Sequence, residues 1–183
     1  MAGRDGAIEI FLQPGEFFVG DAAFRVRTLL GSCVSMTLWH RQRRIGAMSH
    51  FLLPSRMPVR AGVPAPGLDA RYGDDALALM LGELARMGVR GNDCEAKIFG
   101  GGYMFQRSIA PGERVGERNG VAARRLLAAA GIPVLSQSLF GDGYRQIIFE
   151  VGTGDVWERQ PGQAAEQASG RPGAPAGRPG KPA

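Results

Sequence analysis

Between Cys33 and Leu53 the chain spells two strands and the turn that joins them, and this pair constrains everything built around it. Val34-Ser-Met-Thr-Leu-Trp39 carries apolar positions at every second residue, with neither Pro nor Gly, the pattern of a strand. Ile45 to Leu53 reads as a second strand, and the polar His40-Arg41-Gln42-Arg43 between them reads as the turn. With a turn of two or four residues centred there, the numbers of facing residues sum to 83, which sets Cys33 opposite His50. Their Cβ atoms would then lie roughly 4.5–5.5 Å apart. A three-residue loop would slip the register and spoil the pairing. Alternation also sorts the faces: Val34, Met36 and Leu38 on an apolar side, and Cys33, Ser35 and Thr37 on a more polar one, with His50 sharing its face with Gly46 and Met48. A thiol beside an imidazole is the minimal equipment for nucleophilic attack on an amide or ester.

Each half of that pair has a plainer reading. Free cysteine is among the most buried residue types and packs as a small hydrophobe. A lone histidine on a strand is commonly a satisfied structural residue. Against this, Cys33 follows Gly31-Ser32, where backbone comes close and amides are open to an anion, and it begins a strand rather than filling its middle. The other candidates are weaker. His40 sits in the polar turn, and Cys94 precedes a strand with no histidine near it in sequence. A thiol–imidazole pair usually needs a third group to fix the ring; Thr28, Ser35, Thr37 and Ser49 are all in the neighbourhood, and local sequence selects none of them.

Composition removes several function classes. No apolar run approaches the ~20 residues of a membrane span, so no direct membrane insertion is expected. The N-terminal Met1-Ala-Gly-Arg-Asp is not followed by an apolar export segment. Two cysteines in such a chain point to the reducing cytoplasm. The net charge of +5 is dispersed, with Arg41, Arg43 and Arg44 as the one dense cluster in the body. No stacking aromatics accompany it, so nucleic acid is not an expected partner. Neither C-x-x-C nor H-x-x-x-H spacing occurs, and Phe99-Gly-Gly-Gly-Tyr-Met104 is not a phosphate-binding fingerprint. No metal and no cofactor is expected; the glycine run reads as a tight turn with close backbone approach.

The organisation is one domain over residues 5–158 and a tail over 159–183. The tail has no aromatic and no large aliphatic residue beyond Gln160 and should remain disordered. From Gln160 on, three basic residues and Glu166 contribute +2 of the net charge. Strand-like runs are Ile8–Leu12, Phe17–Gly20, Phe24–Leu29, Cys33–Trp39, Ile45–Leu53, Ala96–Phe99, Pro133–Ser138 and Arg145–Val151. One helix is expected over Asp74–Met87, capped by Asp74 or Asp75 and closed by Gly88. A second is expected over Gly120–Ala130 with Asn119 as its cap; Gly116-Glu-Arg-Asn119 then reads as a cap with a surface ion pair. Residues 54–71, with four prolines and two glycines, read as a long loop. The expected fold class is α+β, or a layered α/β sandwich.

A set of motifs in order carries a family resemblance: Leu30-Gly-Ser-Cys-Val34, Gly46-Ala-Met-Ser-His50, Leu53-Pro54, Tyr72-Gly-Asp74, Lys97-Ile-Phe-Gly-Gly101, Gly116-Glu-Arg-Asn119, Gly131-Ile-Pro133 and Gly141 to Arg145. Over about residues 16–157 the chain resembles CheD, the chemoreceptor glutamine deamidases of bacterial and archaeal chemotaxis. The seventeen-residue spacing from Cys33 to His50 matches that family's catalytic pair. The resemblance implies hydrolysis of selected glutamine side chains on methyl-accepting receptors to glutamate, with release of ammonia. It implies Cys33 as nucleophile, His50 as base, and Thr28, the one threonine just upstream of Gly-Ser-Cys, as third member. It also implies a sandwich fold related to deamidating toxin domains, and a CheC-type phosphatase as a possible second partner on the receptor-binding surface. Gly31 and Ser32 are expected beside the substrate, as backbone donors to an oxyanion. The alternatives are a non-catalytic adaptor, or another thiol hydrolase such as a glutamyl methylesterase.

Overall fold

A computed structural model of the chain describes residues 6–56, 67–104, 114–160 and 166–167. Its elements run β1 (Ile8–Phe11), β2 (Phe17–Gly20), β3 (Phe24–Leu30), β4 (Val34–His40), β5 (Ile45–Ser49), α1 (Gly73–Arg86), β6 (Glu95–Gly100), α2 (Val115–Ala129), β7 (Val134–Leu139), β8 (Arg145–Glu150), β9 (Asp155–Arg159) and β10 (Glu166–Gln167). They build two five-stranded sheets, one in the order β1-β3-β8-β9-β10 and the other β2-β5-β4-β6-β7. β1 pairs parallel with β3 and β6 parallel with β7; the remaining pairs are antiparallel. The class is the expected α+β layered arrangement.

Alternation along the strands makes the layers. In β3, Val26, Thr28 and Leu30 are buried, and in β8 Ile147 and Phe149 are. With Val156 of β9 they meet Met48 and Phe99 from the other sheet in one apolar layer between the sheets. The opposite face of the second sheet, through Val34, Met36, Leu38, Ala47, Ala96 and Ile98, receives the helices. α1 brings Ala76, Leu77, Met80 and Leu84, and α2 brings Ala123 and Leu127, the one-sided apolar stripe of an amphipathic helix. The stack is therefore helices, sheet, sheet. Burying one side chain the size of Phe149 contributes about 1.5–3 kcal/mol.

The strand pair read from sequence forms, with one correction. His40 pairs with Ile45, Leu38 with Ala47 and Thr37 with Met48, so facing numbers sum to 85, and the bridge Val34–Phe51 keeps that sum. The loop is Arg41–Arg44, one residue later than expected, because Arg44 takes a left-handed φ of 51° and closes on His40 through its N–H at 2.9 Å. Cys33 is thus not directly opposite His50. The shift of two preserves the side-chain parity, and the polar face survives, now enclosed between the sheets.

The second helix also differs from expectation. It begins at Val115, with Arg114 in extended conformation before it, so Asn119 lies inside the helix and does not cap it. α1 begins at Gly73 with Tyr72 at its cap position and no side-chain cap; Gly88 at φ 74° closes it as expected. β9 has no clear signal in the sequence: Asp155–Arg159 is short and follows a glycine turn. β10 falls within the segment assigned to the tail and pairs with β9. Residues 161–165 and 168–183 of that segment, and residues 57–66 of the 54–71 loop, lie outside the described residues.

Candidate active site

The chain changes sheets between β3 and β4, and Gly31-Ser32-Cys33 is the crossing. Cys33 therefore starts where the two sheets part, half-buried. Thr28 reaches this point from the first sheet and His50 from the second; both are buried, at 0% and 2% exposure. Thr28 Oγ1 lies 2.7 Å from His50 Nδ1 and 2.7 Å from the Leu12 carbonyl oxygen. A carbonyl only accepts, so the single Thr28 hydroxyl proton goes to Leu12. The Thr28 oxygen then accepts from Nδ1–H of His50. That arrangement fixes the tautomer and leaves the Nε2 lone pair free.

Of the four hydroxyls left open by sequence, geometry distinguishes one. Ser49 binds the Met36 main chain, Thr37 donates to the Lys97 carbonyl, and the Ser35 hydroxyl is buried without a partner among the described residues. Thr28 alone of the four bonds to the imidazole. Arg27, its neighbour, points the other way, to Glu9 and across the Phe11 ring.

Electrostatics keep the site neutral at rest. Burial lowers the His50 pKa to about 4, against the opposing pull of the Leu12 carbonyl and the Glu16 carboxylate. Burial raises the Cys33 thiol above its ordinary value, partly offset by its own backbone N–H. A neutral thiol and a neutral imidazole are chemical forms between which a proton can pass.

The main chain around Cys33 is held on its carbonyl side. Gly102 N–H donates to the Gly31 carbonyl and Gly101 N–H to that of Cys33, each at 2.8 Å. Asn119 Nδ2 donates to the Ser32 carbonyl at 3.0 Å and the Leu52 carbonyl at 2.8 Å. Among the described residues, no carbonyl accepts from the N–H of Ser32 or Cys33. The glycine run makes this possible: Gly100 has φ 112°, and a Cβ there would lie 2.2 Å from the Cys33 carbonyl oxygen. The expected close approach of Gly100–Gly102 is therefore observed.

The remaining candidates fall away from this cluster. His40 accepts from the Arg43 N–H through Nδ1 at the hairpin. Cys94 is buried, its thiol pushed up to about 11, and donates to the Arg90 carbonyl. Among the described residues no group of three or more His, Cys, Asp or Glu is arranged to hold a metal ion, and no helix is long and apolar enough to cross a membrane.

Comparison with known proteins bears on the family. A family model described as CheD chemotactic sensory transduction matches residues 52–160. A curated protein of Albidiferax ferrireducens, "Probable chemoreceptor glutamine deamidase CheD 2", is 58% identical over 161 residues, covering 87% of this chain and 91% of its own. "Probable chemoreceptor glutamine deamidase CheD 3" of Dechloromonas aromatica is 42% identical, over 81% of this chain and 85% of its own. A relative from Nitratidesulfovibrio vulgaris is 34% identical over 82% and 76%. The family model begins just past His50. A match over 87% of this chain is too long to leave out positions 28, 33 and 50.

Proposed function

The chain belongs to the CheD family, and from that premise we propose that it is a cysteine-dependent deamidase of glutamine side chains on methyl-accepting chemotaxis receptors. The observation that carries the reading is the Thr28–His50 hydrogen bond at 2.7 Å, made next to the Val34–Phe51 bridge that joins the segments bearing Cys33 and His50. In the proposed reaction His50 Nε2 takes the Cys33 proton, and the thiolate attacks the carboxamide carbon of a receptor glutamine. The carbonyl oxygen becomes an oxyanion within reach of the N–H groups of Ser32 and Cys33, which donate to no carbonyl among the described residues, the kind of preorganised donor pair that stabilises such charge. The imidazolium returns its proton to the departing nitrogen as the C–N bond breaks, releasing ammonia and leaving a thioester on Cys33. His50 then takes a proton from water, whose oxygen displaces the thiolate, and glutamate leaves with Cys33 regenerated as the thiol.

The relatives' printed names, chemoreceptor glutamine deamidases, support the substrate class. The site is built from one cysteine, one histidine and main-chain amides, and supports hydrolysis by residues of the chain itself. A CheC-type phosphatase as second partner rests on the family resemblance. The test is ammonia release from purified receptor fragments by wild type and by Cys33→Ala. Release by the wild type and none by the variant is expected. No release by either, with receptor or phosphatase binding retained, would overturn the enzyme reading in favour of an adaptor. Cleavage of the chain or release of methanol from methylated receptor, in place of ammonia, would assign another thiol hydrolase.

A further inference from the structure

The Ser32 carbonyl and the Cys33 N–H belong to one planar trans peptide and so point in opposite directions. Whatever holds the carbonyl aims the N–H. The holder is Asn119, wholly buried in α2, whose amide nitrogen forks to the carbonyls of Ser32 and Leu52. Both partners are acceptors, so the amide cannot be turned over: the nitrogen must face them. Its Oδ1 is left buried without a partner among the described residues. That unpaired oxygen is a cost, and the two held carbonyls are what offsets it.

The fork sits where the strand ladder ends. Val34 and Phe51 exchange the last pair of backbone hydrogen bonds, at 3.1 and 3.0 Å. Beyond them the strands separate, since Leu52 N–H turns to the Arg71 carbonyl and Cys33 C=O to Gly101. Asn119 spans the gap, tying the residue before Cys33 to the second residue after His50. Gly102 does the same for the preceding peptide by taking the Gly31 carbonyl, which aims the Ser32 N–H.

We propose that Asn119 is a positioning residue that aims the Cys33 N–H at the developing oxyanion by fixing the Ser32–Cys33 peptide from its far side. The proposal rests on the reading of Cys33 as a nucleophile that becomes acylated. It requires that Asn119 matter for attack on a carbonyl, where negative charge grows on oxygen, and not for attack on a saturated carbon, where none does.

Two chemical probes of Cys33 separate these cases. In p-nitrophenyl acetate the thiolate adds to the carbonyl carbon, a C–S bond forms, the C–O bond breaks and p-nitrophenolate leaves. In iodoacetamide the thiolate displaces iodide with no oxyanion. Rates are measured for wild type and Asn119→Ala, with Cys33→Ala subtracted to remove other nucleophiles. The nearly isosteric Asn119→Asp serves as second variant should the alanine variant be unfolded by circular dichroism. Acylation is expected to fall about 100-fold, the scale of losing one oxyanion donor, with alkylation within about threefold of wild type. Equal loss of both rates, loss of neither, or failure of both variants to fold would overturn the proposal. A wild type with no Cys33-dependent p-nitrophenolate release would instead strike the nucleophile reading on which it depends.

Discussion

At the scale of single residues, the site turns on where one proton sits. Thr28 has one hydroxyl hydrogen and gives it to Leu12, so His50 carries its proton on Nδ1. Thr28→Val keeps the shape and removes both bonds. The expected result is a fall in kcat of about 100-fold, with a loss of about 1–3 kcal/mol from the unpaired Leu12 carbonyl and imidazole; steady-state deamidation and denaturant unfolding read the two effects. The base must be neutral to act, and burial holds His50 at about 4. The acid limb of kcat/KM is therefore expected well below 6.5, and a limb at or above 6.5 would contradict a buried neutral base. The shared face of Cys33 and His50 was legible in sequence because alternation sets it, and a register difference of two leaves that face unchanged. Thr28 was reached through family resemblance, since it lies on the other sheet. Asn119 was misread as a cap because its partners are main-chain carbonyls 87 and 67 residues away, and a carbonyl has no side-chain signature.

At the scale of elements, the crossing between β3 and β4 is the device that brings two sheets to one point. Its three successive carbonyls are all held, by Gly102, Asn119 and Gly101. Gly100 is the tightest approach. Gly100→Ala would place a methyl 2.2 Å from the Cys33 carbonyl in a backbone with φ 112°. The expected destabilisation is at least about 2 kcal/mol, seen as an earlier denaturant midpoint; an unchanged midpoint would show that the glycine turn is not what seats this loop. Strands with clean alternation, such as β4 and β8, could be read directly. α2 was read five residues short because Gly116 and Gly120 lower its local helix propensity. In the fold, both approach neighbouring backbone or the Phe140 ring too closely for any side chain, so tertiary packing overrides propensity. β9 gave too short a pattern to separate from the turn before it.

At the scale of the whole molecule, the face that carries Thr28 and His50 lies between two sheets rather than on the surface of one. This placement links stability to pH. His50 titrates near its ordinary 6.5 when the chain is unfolded but at about 4 when folded, so the unfolded state binds the proton first. Its contribution is fully present above about 6.5 and is lost as the pH falls towards 4, about 3 kcal/mol in all. The melting temperature of wild type is expected to drop across this window more steeply than that of His50→Gln; parallel curves would contradict the buried neutral imidazole.

The central claim is that the Cys33 sulfur carries the acyl group taken from a receptor glutamine. Receptor fragments incubated with the protein in the presence of hydroxylamine, then mapped by mass, test this most directly. Wild type is predicted to convert the same glutamines to a mixture of glutamate and the hydroxamate that forms when hydroxylamine intercepts a thioester, and Cys33→Ala to form neither. Glutamate produced by Cys33→Ala at the wild-type rate would contradict the account.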